Sequence, residues 1–337
     1  MKKFINDPQN ITRELLEGFS LAYSDYVRLE PDNIIVSRGI ETADRATVVS
    51  AGGSGHEPAI SGYVGSGMVD VSVVGDIFTA PSAEAAVKGI KLADRGKGVL
   101  FVALNHPGDI LTANTAVAEC RRQGIDVRMV IVQDDISNAP RSRASERRGL
   151  VGCVPVYKIA GAAAAKGKSI DEVAATAQRF ADNMATLAVG VSGATHPVTG
   201  KLLAEFGDDD MEIGMGQHGE EGGGRQRLRT ADDTAKMMIA PLIRDLRMKK
   251  GEKAMLLLDG TGATTLMELF IVYRKCAEYM KGKGIEIAAR GIGEFLTVQE
   301  AAGFQMLLAR MDDELLSLWE TECDTPYYKR SQKPFEG

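Results

Sequence analysis

Three runs in this chain leave little freedom in how it folds. Val99–Leu104, Val127–Val132 and Ala254–Leu258 are dominated by aliphatic residues over the length of a strand, and each passes at once into a polar turn. Such short runs, bounded by turn residues, read as strands covered on both faces. Between and around them lie helix-like stretches, and strands alternating with helices predict an α/β sheet with largely parallel strands. At 337 residues the chain is long enough for two such domains. The expected fold class is therefore α/β: two α/β domains with mostly parallel sheets flanked by helices.

The local signals agree with that order. Pro8 suits a first helical position after Asp7, and Ile11, Leu15, Phe19 and Tyr23 recur on one helical face. Thr47–Ser50 begins a strand that runs into a glycine-rich turn, and Val69, Val71 and Val73 alternate up to Gly75-Asp76. Ser82 suits the cap of a helix with Glu84 in its first turn. Residues 160–187 are alanine-rich and helical, Ala188–Ser192 and Met211–Met215 read as strands, and a charged helix is expected near Met237–Lys249. An amphipathic helix carries Leu266, Leu269, Phe270, Tyr273 and Cys276, and a last αβ portion runs from Ile285 through Leu307. The expected boundary divides 1–184 from 185–337, with no low-complexity linker between the halves.

Composition excludes several classes. A net charge of −6 offers no basic field for nucleic acid. Met1-Lys2-Lys3 is followed by no apolar h-region, and no run approaches the ~20 apolar residues of a membrane span. Cys120, Cys153, Cys276 and Cys323 show no CxxC spacing, which argues against a zinc knuckle or dithiol pair and for a reducing cytoplasm.

The 37 glycines cluster where apolar runs end, the pattern of turns that bring backbone close to a ligand. All four histidines, His56, His106, His196 and His218, lie in such loops, and ligands bind outside the carboxyl ends of strands in open α/β sheets. His56 and His218 are the first candidates for chemistry; His106 and His196 also fit surface turns. Gly52, Gly53, Ser54 and Gly55 precede His56 and can present backbone N–H groups to an oxygen-rich ligand, or simply turn the chain. Asp109 follows Pro107-Gly108 and suits either a proton shuttle or a helix N-cap. His218, between Gly216 and Gly219 and trailed by Glu220 and Glu221, can act as a nucleophile toward a carbonyl or as a base. No metal site is expected, because no H-x-x-x-H or similar spacing occurs. Gly260-Thr261-Gly262 resembles a phosphate cradle but reads better as a tight turn, and Arg141, Arg143, Arg147 and Arg148 read as a solvated basic loop.

Several segments together resemble the ketose-binding subunit of dihydroxyacetone kinase. They are Gly53-Ser54-Gly55-His56-Glu57-Pro58, Gly75-Asp76-Ile77-Phe78-Thr79, Gly108-Asp109, Arg147-Arg148-Gly149, Gly216-Gln217-His218-Gly219-Glu220 and Leu258-Asp259-Gly260-Thr261-Gly262-Ala263-Thr264. The similarity runs in order over essentially the whole chain. It implies that family's fold of two α/β domains, a homodimer, and a covalent complex in which His218 adds to the ketone carbon of dihydroxyacetone to give a hemiaminal. It further implies that His56 and Asp109 handle protons and hydroxyls and that backbone around Gly53 binds substrate. No cofactor is expected on this chain: the resemblance places ADP or ATP with Mg on a separate helical nucleotide-binding subunit, recharged by the sugar phosphotransferase system in some members and using ATP directly in others. Ending at Gly337, the chain is expected to be a stand-alone subunit, inactive as a kinase by itself.

One departure bears on substrate. The family usually carries Lys-Asn-Tyr-Thr-Gly-Asp where this chain has Leu104-Asn105-His106-Pro107-Gly108-Asp109. Loss of that lysine leaves another short ketose, such as erythrulose, as an alternative substrate, with His106 placed to compensate. It also keeps open a non-enzymatic ketose sensor that activates a transcription factor. A metal-dependent hydrolase or isomerase using His56 and His218 is a third, different class.

Overall fold

The chain enters its first helix as its sequence predicts. The Asp7 carboxylate accepts the Gln9 N–H at 2.9 Å, Pro8 follows, and α1 runs Ile11–Ala22. The computed structural model describes residues 3–220 and 222–331; Met1, Lys2, Glu221 and Gly337, named above, lie outside the described residues. These residues fall into two units. The first holds residues 3–132, Cys153–Arg179 and 317–331; the second holds Gln133–Gly152 and Phe180–Leu316. A single division at 184/185 lies close to the Arg179/Phe180 crossing, but the chain also changes unit at 132/133, 152/153 and 316/317.

In the first unit, β1 (Val27–Glu30), β2 (Ile34–Ser37), β3 (Thr47–Ser54), β4 (Val71–Ile77), β5 (Val99–Leu104) and β6 (Val127–Val132) form one sheet in the order β1-β2-β4-β3-β5-β6. The β4-β3-β5-β6 portion is parallel, and β1 and β2 add antiparallel at its edge. Helices α2 (Ala83–Ala93) and α3 (Pro107–Arg122) cover one face. Val49, Ala51, Val71, Val73, Val99 and Phe101 project into that core, the period of two expected of strands. Ser82 caps α2, its hydroxyl accepting the Ala85 N–H at 3.1 Å. The alanine-rich stretch is two helices, α4 (Cys153–Ala165) and α5 (Ile170–Asp182). Buried α4 packs against β3 and β5 and lies so close to Met68 that a Cβ on Gly161 would stand 2.5 Å from its backbone.

In the second unit, β7 (Met184–Ser192), β8 (Asp210–Ile213), β9 (Arg225–Arg227), β10 (Lys253–Gly260), β11 (Glu286–Gly293) and β12 (Ala302–Met311) form a sheet in the order β11-β10-β12-β7-β8-β9. Helices α6 (Ala231–Asp245) and α7 (Leu266–Lys283) pack on it through Met238, Leu242, Leu269, Val272 and Cys276, and α8 (Asp313–Glu320) follows β12. Thr265 and Glu268 form a reciprocal capping box at the start of α7, and Gly284 ends it in the left-handed conformation (φ 69°).

This sheet corrects the expectation of mostly parallel strands. Only β10–β11 is parallel; β10–β12, β12–β7, β7–β8 and β8–β9 are antiparallel. The expected last αβ portion is two strands, β11 and β12, joined by residues 294–301. A parallel return needs a crossover of about a dozen residues or more, which this loop does not provide. Burial on both faces, the signal read in the sequence, does not encode strand direction.

Candidate functional site

The carboxyl ends of β3, β4 and β5 form one edge of the first sheet, because the three strands run parallel in register, with Ser50 beside Ser72 and Val102. The predicted loop residues gather there. Gly53 approaches the turn after β4 so closely that a Cβ would lie 2.6 Å from Thr79 N, and a Cβ on Gly52 would stand 2.1 Å from Ile60 Cδ1. Glycine at 53 is thus required by backbone packing at the site, whereas at 52 the obstacle is the tip of the Ile60 side chain. Ser54 is buried, shares a hydrogen bond with Thr12 of α1 at 2.8 Å, and accepts the Phe78 N–H on its carbonyl at 2.9 Å.

Gly55 takes a φ of +95°, which suits glycine, and a Cβ there would meet the Phe78 ring at 2.7 Å. That turn delivers His56, which is 6% exposed and packs its imidazole against Phe78 with ring centroids 5.1 Å apart. Glu57 folds back to accept the Gly55 N–H at 3.0 Å. Burial pushes its carboxyl above the usual range, against that hydrogen bond.

At the end of β5 the chain passes through His106, the N-cap residue of α3, and Pro107 at its first position. Asp109 is therefore in the first turn and not at the cap, half-buried, where the helix N-terminus favours a carboxylate. Leu104, in the position of the family's lysine, is 5% exposed and paired with Val132 in the sheet. His56, His106, Asp109 and Gly52–Gly55 thus share one sheet edge of the first unit.

His218 belongs to the second unit, in the loop after β8. The loop closes on itself: Gly216 donates its N–H to the Glu220 carbonyl at 2.9 Å, and Gly219, with φ +80°, donates to the Gly216 carbonyl at 3.2 Å. Gln217 turns inward and is 6% exposed, while 27% of the His218 side chain is exposed. Gln217 lines a cavity with Leu150, Met215, Thr261 and Gln305. Glu220 faces His218, its Oε2 accepting the His218 backbone N–H at 2.8 Å and its Oε1 lying 3.3 Å from Nδ1. Burial works against charge on the Glu220 carboxyl, but its hydrogen bonds with the ring and backbone of His218 hold it down at about 2.

The entry to this loop is braced by residues that sequence reading assigned to solvent. Arg148 donates to Asp135 at 2.9 Å and to the Gly214 carbonyl at 2.8 Å, and Ser137 donates to Asp135 at 2.7 Å. Arg141 and Arg147 both pair with Asp245 at 2.6 Å, with the Arg147 side chain 1% exposed. Of the four arginines only Arg143 fits the solvated-loop expectation, paired with exposed Glu146 at 3.0 Å. The acidic partners Asp135 and Asp245 were the missing signal; Asp245 is about 100 residues away in sequence, beyond the reach of spacing arguments.

Two other predicted turns are structural. His196 Nδ1 faces the N–H groups of Val198 and Thr199 within its own turn. Around Gly260-Thr261-Gly262, the Thr261 N–H binds the Gly303 carbonyl of β12 and the Ala263 N–H binds the Ala301 carbonyl just before it, so these donors are engaged by the chain itself and do not form a phosphate cradle. Asp259 accepts the Phe295 and Leu296 N–H groups at 2.7 and 3.1 Å, and burial pushes its carboxyl well above the usual range.

Comparison with known proteins places these features in a group. The Dak1 domain family matches residues 17–327. A PTS-dependent dihydroxyacetone kinase 2, dihydroxyacetone-binding subunit of Listeria innocua is 37% identical, covering 98% of this chain and 99% of its own length. A D-erythrulose kinase of Mycolicibacterium smegmatis is 34% identical over 98% of this chain and 57% of its own. A solved structure titled as a dihydroxyacetone kinase operon co-activator superposes with a TM-score of 0.89 at 29% identity, covering 94% of this chain and 98% of that one.

Proposed function

We propose that this chain, which belongs to the Dak1 domain family, is the substrate-binding subunit of a dihydroxyacetone-type kinase. It binds dihydroxyacetone or a related short ketose covalently, His218 adding to the ketone carbon to give a hemiaminal. His56 and Asp109 exchange protons with the substrate and hold its hydroxyls, while backbone around Gly52–Gly55 and the His106 side chain complete its recognition. A covalent bond to a carbonyl holds a molecule too small to bind tightly by contact alone, and it selects ketones over polyols such as glycerol. Positioning is then much of what phosphoryl transfer requires.

The phosphoryl group comes from a nucleotide with Mg held by a separate helical subunit, either a bound ADP first recharged to ATP by the phosphotransferase system or an ATP used directly. The protein works as a homodimer in the cytoplasm; among the described residues no helix is long and apolar enough to cross a membrane. The observation that carries this reading is the His218 loop, in which flanking glycines and Glu220 present an imidazole on a hydrogen-bonded turn. Its end-to-end likeness to a named dihydroxyacetone-binding subunit supports the substrate class.

Leu104 favours a second reading, a ketose-responsive co-activator, because a buried leucine supplies no donor to substrate. The named co-activator structure and the erythrulose kinase relatives make both sensing and a four-carbon ketose pertinent. A phosphorylation assay discriminates. The chain is mixed with a nucleotide-binding subunit of a related kinase and its phosphoryl source, and dihydroxyacetone or erythrulose is offered. Ketose phosphate formed only when both proteins are present is the expected result. No product with either ketose, together with ketose-dependent binding to a transcription factor, would establish the sensor instead.

A further inference from the structure

We infer that Glu220 is the positioning residue that holds His218 as its Nδ1–H tautomer and so makes Nε2 the nucleophile. The inference rests on the covalent reading above and adds a residue to that site. Glu220 is two residues beyond His218 on the same turn, and its carboxylate addresses His218 twice, through Oε2 to the backbone N–H at 2.8 Å and through Oε1 to Nδ1 at 3.3 Å. An ionised carboxylate is an acceptor only, so Nδ1 is the donor in this contact. In neutral imidazole one ring nitrogen carries the hydrogen and the other the lone pair, which assigns the lone pair to Nε2.

The loop is built around this arrangement. A Cβ on Gly216 would stand 2.2 Å from Glu220 Oε2 and 2.4 Å from Arg148 Nη1. Glycine at 216 therefore makes room for the carboxylate to fold back toward His218, with a guanidinium alongside. That guanidinium is fixed in turn by Asp135, which is fully buried, and by the Gly214 carbonyl. A carboxylate that both orients a histidine and balances its positive charge is an established device in nucleophilic and acid–base sites.

The covalent step balances on this geometry. The Nε2 lone pair forms the C–N bond to the ketone carbon, and the C=O π pair moves to oxygen, which takes a proton from water. The ring is left as an imidazolium with its hydrogen on Nδ1, facing the Glu220 carboxylate. Release of the Nδ1 proton to solvent gives the neutral hemiaminal, with the ketose added whole and nothing lost.

The test uses the full chain and its Glu220→Ala and Glu220→Gln variants. Long-range 1H–15N correlation spectra of the ligand-free proteins report the His218 tautomer, and mass spectrometry reports the rate of adduct formation with dihydroxyacetone. The expected result is an Nδ1–H tautomer in the parent chain, lost in Glu220→Ala, with adduct formation slowed at least about 10-fold and the melting temperature preserved. Should Glu220→Ala fail to fold, Glu220→Gln keeps the side-chain shape and is read by the same spectra. An Nε2–H tautomer in the parent chain, or variants with unchanged tautomer and rate, would overturn the inference. Absence of any adduct in the parent chain would instead count against the covalent reading, and the tautomer spectra would still decide the role of Glu220.

Discussion

His56 and His218 differ in how the protein holds them, and the difference predicts distinct losses. His56 is buried against Phe78 at the end of β3, a setting for a group whose ring must be fixed relative to a bound molecule. His218 is partly open on a turn of its own, a setting for a group that must meet a carbonyl. His56→Ala is therefore expected to leave the ketose adduct intact while slowing phosphoryl transfer by about 10²-fold or more, the range for loss of a general acid–base. Turnover unchanged in the presence of the nucleotide-binding partner would remove His56 from the chemistry. His56, Asp109 and His218 stood out as candidates because each follows a strand and sits beside glycine. Glu220 was visible only as a neighbour in sequence; that its carboxylate turns back onto both the ring and the backbone of His218 needed the fold of the turn. Leu104 was legible both as a departure from the family and as the buried end of an apolar strand.

Among the elements, the strands at the long apolar runs announced themselves and their directions did not; β1, β2 and β9 carried no such signal. The apolar runs at Val99–Leu104, Val127–Val132 and Ala254–Leu258 are strands, and Ser82 caps its helix as read. The antiparallel course of β12 beside β10 depends on the short 294–301 connection, a fact about chain path that a count of apolar residues does not contain. The segment Gln133–Gly152 was also opaque, because its anchors are tertiary. Asp134 is fully buried there and accepts the Leu150 N–H at 2.8 Å and the Gly152 N–H at 3.1 Å, with Thr186 as a third partner. Burial outweighs those hydrogen bonds and pushes its carboxyl from 3.8 up to about 6. The folded chain then holds a proton that the unfolded chain has released, so the Asp134 contribution is most favourable below pH about 4 and is lost as pH rises to about 6. The unfolding free energy of the parent chain, relative to Asp134→Asn, is expected to fall by about 3 kcal/mol across that window in urea titrations. A pH-independent difference between the two proteins would show that Asp134 stays ionised in the fold.

Across the whole chain, each unit carries its own set of candidate residues. The first supplies a sheet edge with His56, His106 and Asp109, and the second supplies the His218 turn with Glu220 and its arginine brace. Family membership was readable from motifs spread along the chain, because those motifs are loops at strand ends whose glycines serve close chain packing. The division into units was less readable, since Gln133–Gly152 leaves its sequence neighbours for the other unit. In the proposed function the molecule captures a ketone covalently on one histidine. Intact-protein mass spectrometry with peptide mapping, after incubation with dihydroxyacetone, erythrulose or glycerol and gentle desalting, tests it most directly. The prediction is a gain equal to the whole ketose, located on the peptide bearing His218, absent with glycerol and absent in His218→Ala. A gain that survives in His218→Ala, or one that maps to another residue, would contradict it.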